Sequence, residues 1–236
     1  MESLSYFASA GVLALGVCAS SASAADLGGP HGSLKDGPAP YIATQWTGFY
    51  AGLQSGYVWG DARHSFDNGA PSDNSDPDGF IVGGHVGYNL QSGSTVFGIE
   101  ADLEGGNVSG SFTNITGMSS HGSVDMDWQG SIRARLGFVH HGALFYATGG
   151  WAFGRFDFGG GPAGDPIPNG YTDTLHGWTI GAGAEWQLTN SITARLEYRY
   201  TDFGKASGGL APNFASVTMP VELETHAIRS GISFKF

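Results

Sequence analysis

Three histidines, a run of acids and a spaced set of glycines are the residues of this chain whose types could do chemistry. His64, His121 and His176 lie in three separate polar stretches, and imidazoles brought together from such stretches can hold a metal or a haem iron. Single loop histidines are more often bystanders. Asn74, Asp76, Asp78 and Gly79 imitate the start of a calcium loop, but Asn stands at position one and His85 replaces the bidentate Glu of position twelve. That departure favours an acidic, hydrated loop. Gly159, Gly161 and Gly164 satisfy G-x-G-x-x-G, yet Pro162 interrupts the match and no helical pattern follows, so a flexible loop is expected and not a phosphate cradle. His140 and His141 have no Ser or acid at triad spacing. Asn107-Val108-Ser109 and Asn114-Ile115-Thr116 are glycosylation sequons only in a host that reads them. No residue is assigned to catalysis, to a cofactor or to a metal, and no enzyme activity is expected.

The elements that would position these residues are strands. Apolar residues recur with a period of two in eight segments, the signature of a sheet with one apolar and one polar face. They centre on Phe49 to Trp59, Phe80 to Leu90, Phe97 to Leu103, Trp128 to Phe138, Phe145 to Phe153, Trp178 to Trp186, Ile192 to Tyr200, and Ile228 to Phe236. Connections alternate as well. Long polar stretches at about 61–79, 105–124, 155–173 and 202–221 alternate with short turns at Gln91–Ser94, His140–Gly142 and Leu188–Asn190. An even number of strands, short turns at one rim and long loops at the other describe an outer-membrane barrel. Each segment has the roughly 9–11 residues that a tilted strand needs to cross the hydrocarbon. The expected fold is therefore all-β: an eight-stranded antiparallel up-and-down transmembrane β-barrel with N and C termini periplasmic.

Charge placement separates this from a water-soluble barrel, whose apolar faces point inward. Arg133, Arg135, Arg195, Arg199, Arg229 and Lys235 lie on the polar faces, with Glu100, Asp102, Glu104, Glu185 and Glu197. The central apolar faces carry no charge. Eight strands enclose a lumen just wide enough for side chains, so these groups should pair across it. An ion or proton path is the functional reading of such a lumen. The near balance of charge favours an electrostatic plug that fixes register. Aromatics are expected in two girdles: Trp46, Phe49, Tyr88, Phe138, Trp186, Phe234 and Phe236 near the short turns, and Tyr57, Trp59, Trp128, Trp178, Tyr198 and Tyr200 near the long loops.

Composition agrees. The 40 glycines follow no collagen repeat, a hydrophobic fraction of 41% is too high for simple disorder, and a net charge of -11 disfavours a nucleic-acid partner. Residues 4–19 are mostly small and apolar and precede Ala22-Ser23-Ala24, so residues 1–24 read as a secretory signal peptide, although Glu2 leaves the n-region without Lys or Arg. The sole cysteine, Cys18, lies inside it behind the bulky Val17, a poor fit to a lipid-anchor site. Residues 25–45 are expected as a periplasmic segment and 46–236 as the barrel domain.

Trp46-Thr47-Gly48-Phe49-Tyr50-Ala51-Gly52, Gly84-His85-Val86-Gly87-Tyr88-Asn89, Gly98-Ile99-Glu100-Ala101-Asp102, Arg133-Ala134-Arg135-Leu136-Gly137, Gly149-Gly150-Trp151-Ala152, Trp178 to Glu185, Leu196-Glu197-Tyr198-Arg199-Tyr200 and the terminal Phe236 resemble the porin-family small outer-membrane β-barrel proteins of α-proteobacteria. The resemblance covers Trp46 to the end. It implies a cell outer membrane location, insertion by the outer-membrane assembly machinery through Ile232, Phe234 and Phe236 of the C-terminal strand, and lipid as the surrounding partner. It also implies a non-catalytic role in envelope integrity and in contact with host or other surface ligands. The alternative is a haemin-binding receptor or narrow porin-like channel. Unlike larger relatives of the OmpA type, the sequence shows no peptidoglycan-binding domain after the barrel, which leaves an anchoring role unsupported.

Overall fold

The computed structural model of the chain describes residues 45–64, 74–113, 120–162, 171–209 and 218–236. The expected signal peptide and all but the last residue of the 25–45 segment lie outside them. Among the described residues nine strands form one antiparallel sheet: β1 Gly48–His64, β2 Asn74–Ser75, β3 Asp78–Ser92, β4 Thr95–Thr113, β5 Ser120–His140, β6 Ala143–Pro162, β7 Tyr171–Gln187, β8 Ile192–Gly209 and β9 Thr218–Lys235. Each long strand pairs with its neighbour in chain order, and β1 pairs with β9 from Tyr50↔Lys235 to His64↔Val221. The sheet is thus a closed eight-stranded up-and-down barrel, with β2 a short addition that pairs with β1 at Ala62↔Ser75. Among the described residues closure pairs each of the eight long strands on both sides, the condition a bilayer imposes on strands.

The three short turns fall where the sequence places them. Gly93 has φ +61° at the first central position of the β3–β4 turn, which suits a type II′ hairpin. In the β5–β6 turn both central residues, His141 (φ +48°) and Gly142 (φ +81°), take the left-handed conformation that a type I′ hairpin requires.

The strands are longer than the alternation indicated. The eight long strands run 15 to 21 residues, and every one of them continues into a stretch read as a loop. Gly159 to Pro162 are strand residues paired with β5, contrary to the loop expected from their glycines. The cause is a change of outer solvent. Between the rims apolar side chains point out: Leu53 is 74% exposed, and Val86, Ile99, Leu136, Ile180, Leu196 and Ile232 are likewise outward. Beyond the long-loop girdle the pattern inverts, with Phe156 and Phe158 buried inside while Arg155 and Asp157 face out. A β-bulge between Met126 and Trp128 shifts the phase of β5, so that Val124 and Met126 also turn inward and Asp125 and Asp127 outward. The tall wall thus carries a water-type sheet on top of a lipid-type one.

Candidate functional site

The interior is the most elaborated region of the molecule, and it is layered. At its middle five arginines and five carboxylates interlock. Arg133, on β5, donates to Glu100 (2.5 Å), Asp102 (3.1 Å), Glu197 (2.8 Å) and Thr148 (2.9 Å). Arg195 reaches Glu100 at 2.6 Å and also bonds Gln54. Arg199 holds Asp102 at 3.1 and 3.2 Å and Glu197 at 2.9 Å. Arg229 grips both carboxylate oxygens of Glu104, which also accepts from Gln54 (2.5 Å) and Gln129 (3.0 Å). Arg135 pairs with Glu185 and stacks on the Tyr146 ring, 3.8 Å from its centroid. All ten charged groups are buried. Their formal charges cancel, and forked guanidinium geometry lets each arginine serve several acceptors, which a lysine could not do.

Period two is what builds this array. On the neighbouring strands β4 and β5 the register sets Glu100 beside Arg133, Asp102 beside Ser131 and Glu104 beside Gln129, and Arg195, Glu197 and Arg199 on β8 complete the array from the other side of the lumen. Space for the large side chains comes from glycine. A Cβ at Gly87 would sit 2.4 Å from the Tyr50 ring, and one at Gly183 would sit 2.7 Å from that of Tyr146.

Apolar layers close the array above and below. Toward the long loops, Val58, Ile81, Val108, Val124, Met126, Phe156, Phe203 and Leu223 form a continuous cluster. A small apolar cavity lies among them, lined by Val58, Val108, Val124, Met126, Phe156 and Leu223. At the short-turn end Trp46, 1% exposed, packs with Val96, Leu144 and Tyr146. Trp46 therefore departs from its expected place in the lipid girdle. The chain entering β1 folds over the barrel mouth, where Trp46 N–H donates to Gln91 at 2.7 Å, Gln91 N–H donates to Thr47 Oγ1 at 2.9 Å, and Lys235 and Gln187 donate to the Gln45 carbonyl. Lys235 is thereby a rim residue, outside the lumen array in which its face parity had placed it.

The other girdle residues project outward as expected, Phe49 against Tyr88 (4.6 Å), Phe234 against Phe236 (5.2 Å) and Trp178 against Tyr200 (5.3 Å). The residues that first invited chemistry are dispersed. His176 lies on the outer wall of β7, stacked on Trp151 at 5.4 Å and 14°, while His64 and His121 sit in the ladders of β1 and β5. Asn74 belongs to β2, Asp78 accepts a bond from the outward Tyr57 hydroxyl, and His85 is inside the lumen, 2.7 Å from Ser233 Oγ, so the imitated calcium loop is not assembled. Asn107 Oδ1 accepts from the Phe80 N–H at 3.2 Å at the β4 irregularity. His140 stacks on Phe138 in the short turn. Gly164 and Asn114 lie outside the described residues. Among the described residues no group of three His, Cys, Asp or Glu side chains is arranged to hold a metal ion.

Sequence reasoning found the ten charged residues but missed the apolar layer above them and the Trp46 stopper below. A signal for the former was present, since Phe156 and Phe158 alternate with Arg155 and Asp157 in inverted phase.

Known proteins converge on the same architecture. The family profile of the outer membrane protein beta-barrel domain matches residues 10–236. The 31 kDa outer-membrane immunogenic protein of Brucella melitensis is 33% identical over 211 residues, covering 84% of this chain and 87% of that protein. The 22 kDa outer membrane protein of Rhizobium leguminosarum is 33% identical over 199 residues, covering 82% and 80%. Among solved structures, the outer membrane protein OprG of Pseudomonas aeruginosa superposes with a TM-score of 0.51 at 12% identity, over 80% of this chain and 96% of that one, a likeness of fold.

Proposed function

Because the chain belongs to the outer-membrane β-barrel protein family and so resides in the outer membrane of a Gram-negative bacterium, we propose that it acts as a closed, non-catalytic wall element of the envelope. In this reading the barrel supports envelope integrity and holds its long loops at the cell surface for contact with other molecules. One observation carries it: among the described residues the lumen is filled by a neutral array of five arginines and five acids between two apolar layers. Buried ion pairs that lose one partner are costly, so such an array resists rearrangement. The names of the relatives, immunogenic outer-membrane proteins, support surface exposure. The outward Phe234 and Phe236 at the end of β9 support recognition of that strand by the assembly machinery. A deletion strain tests the role. It should become sensitive to detergent and regain resistance with the intact gene; unchanged resistance, with the protein abundant in the outer membrane of the parent, would remove the integrity role.

A further inference from the structure

The outer face of β8, β9 and β1 carries an ordered grid. Cross-strand register places Tyr57, Ile228 and Tyr198 in one row, Trp59, His226 and Tyr200 in the next, and Asp61, Glu224 and Asp202 in the row nearer the long loops. The middle row is packed as a unit. The Trp59 and His226 rings are near-parallel at 5.8 Å, Tyr200 lies 5.2 Å from His226, and the Tyr198 hydroxyl is 2.7 Å from His226 Nδ1. Trp59 and Tyr198 remain substantially exposed. Directly opposed residues of such a ladder stand about 4.5–5.5 Å apart, and like charges there repel. Asp202 is already held within the wall, accepting from the Trp178 indole N–H at 3.2 Å and the Gly204 N–H at 2.8 Å. Like-charged Asp61 and Glu224, opposed in the same row, are an arrangement that sheet stability alone does not favour. Arg63, Glu222 and Lys205 occupy the following register positions, one step further from the hydrocarbon.

From this grid we propose a binding site for the headgroup sugar of an outer-leaflet glycolipid. A pyranose presents an apolar C–H face and a rim of hydroxyls. Aromatic rings suit the first, and carboxylates, acceptors only, suit the second. A bare phosphate is repelled by the acidic row. The patch continues upward from the lipid-facing Leu53, Leu196 and Ile232, so its occupant is held at headgroup depth by its own acyl chains. The inference rests on the outer-membrane location and is independent of what the long loops contact.

The test uses the folded protein in detergent with a rough-type lipopolysaccharide, the same lipid after dephosphorylation, and phosphatidylglycerol. The site predicts that the dephosphorylated lipopolysaccharide binds at least as tightly as the intact form, and that phosphatidylglycerol binds at least tenfold more weakly. The triple variant Asp61→Asn, Glu224→Gln, Asp202→Asn should weaken lipopolysaccharide binding at least tenfold while the unboiled protein keeps its gel mobility. Should that variant fail to fold, the lipid-free core oligosaccharide must still compete with lipopolysaccharide on the wild-type protein. Loss of binding on dephosphorylation, equal binding of phosphatidylglycerol, a triple variant that binds like wild type, or no competition by the oligosaccharide would each overturn the proposal.

Discussion

Arg133 is the keystone of the lumen array, and its replacement by Met is the sharpest perturbation available. The side chain is fully buried and makes four charge-assisted bonds, three of them to the carboxylates of Glu100, Asp102 and Glu197. At roughly 1.5–3 kcal/mol per charged hydrogen bond the gross loss is about 6–12 kcal/mol. Each of those carboxylates keeps another arginine, however: Arg195 for Glu100 and Arg199 for both Asp102 and Glu197. The net cost should therefore fall near the 3–5 kcal/mol typical of breaking a buried pair, most of it from the one negative charge left uncompensated. Adding Glu197→Gln restores neutrality and should return about 1–3 kcal/mol, a coupling of the size contacting residues show. Urea unfolding in phospholipid bilayers, followed by tryptophan emission and by gel mobility without boiling, measures both. A single variant that loses under about 1 kcal/mol, or a double variant no more stable than the single, would refute the view that charge neutrality holds the interior.

Gly183→Ala should cost about 1–3 kcal/mol in the same unfolding assay, because the added methyl meets the Tyr146 ring at 2.7 Å and the Leu196 carbonyl at 2.5 Å. His141→Asn should stabilise by roughly 1 kcal/mol, since it creates the Asn-Gly pair that a type I′ turn favours and relieves a left-handed histidine; no gain would contradict the assigned turn. Leu53→Arg, at an outward position between the girdles, should cost about 2–4 kcal/mol in a bilayer and much less in a detergent micelle. Equal effects in the two media would place that face away from lipid.

What could be read from the sequence and what could not have distinct physical origins. Alternation of Ile132, Ala134 and Leu136 with Arg133 and Arg135 identified a strand, its lipid face and its buried charges at once, because a bilayer imposes period two and forbids lipid-facing charge. Past the girdle that constraint ends. Phe156 and Phe158 turn inward and Arg155 and Asp157 outward, so a search for lipid-facing strands sees only a glycine-rich loop there. The bulge before Trp128 hides the same inversion in β5 by slipping the phase. Trp46 lies before any strand, and its burial depends on Gln91, Leu144 and Tyr146, partners distant in sequence. The scatter of His64, His121 and His176 over three strands depends on register, which residue types do not encode.

Single-channel recording in planar bilayers tests the sealed lumen most directly. The wild-type barrel should give no current steps, and Trp46→Ala should give none either, since the apolar layer around Phe156 and Phe203 still closes the far end. Steady ionic current through the wild-type protein, changed in amplitude by Arg133→Met, would show that the charged layer lines an open path and would contradict the account.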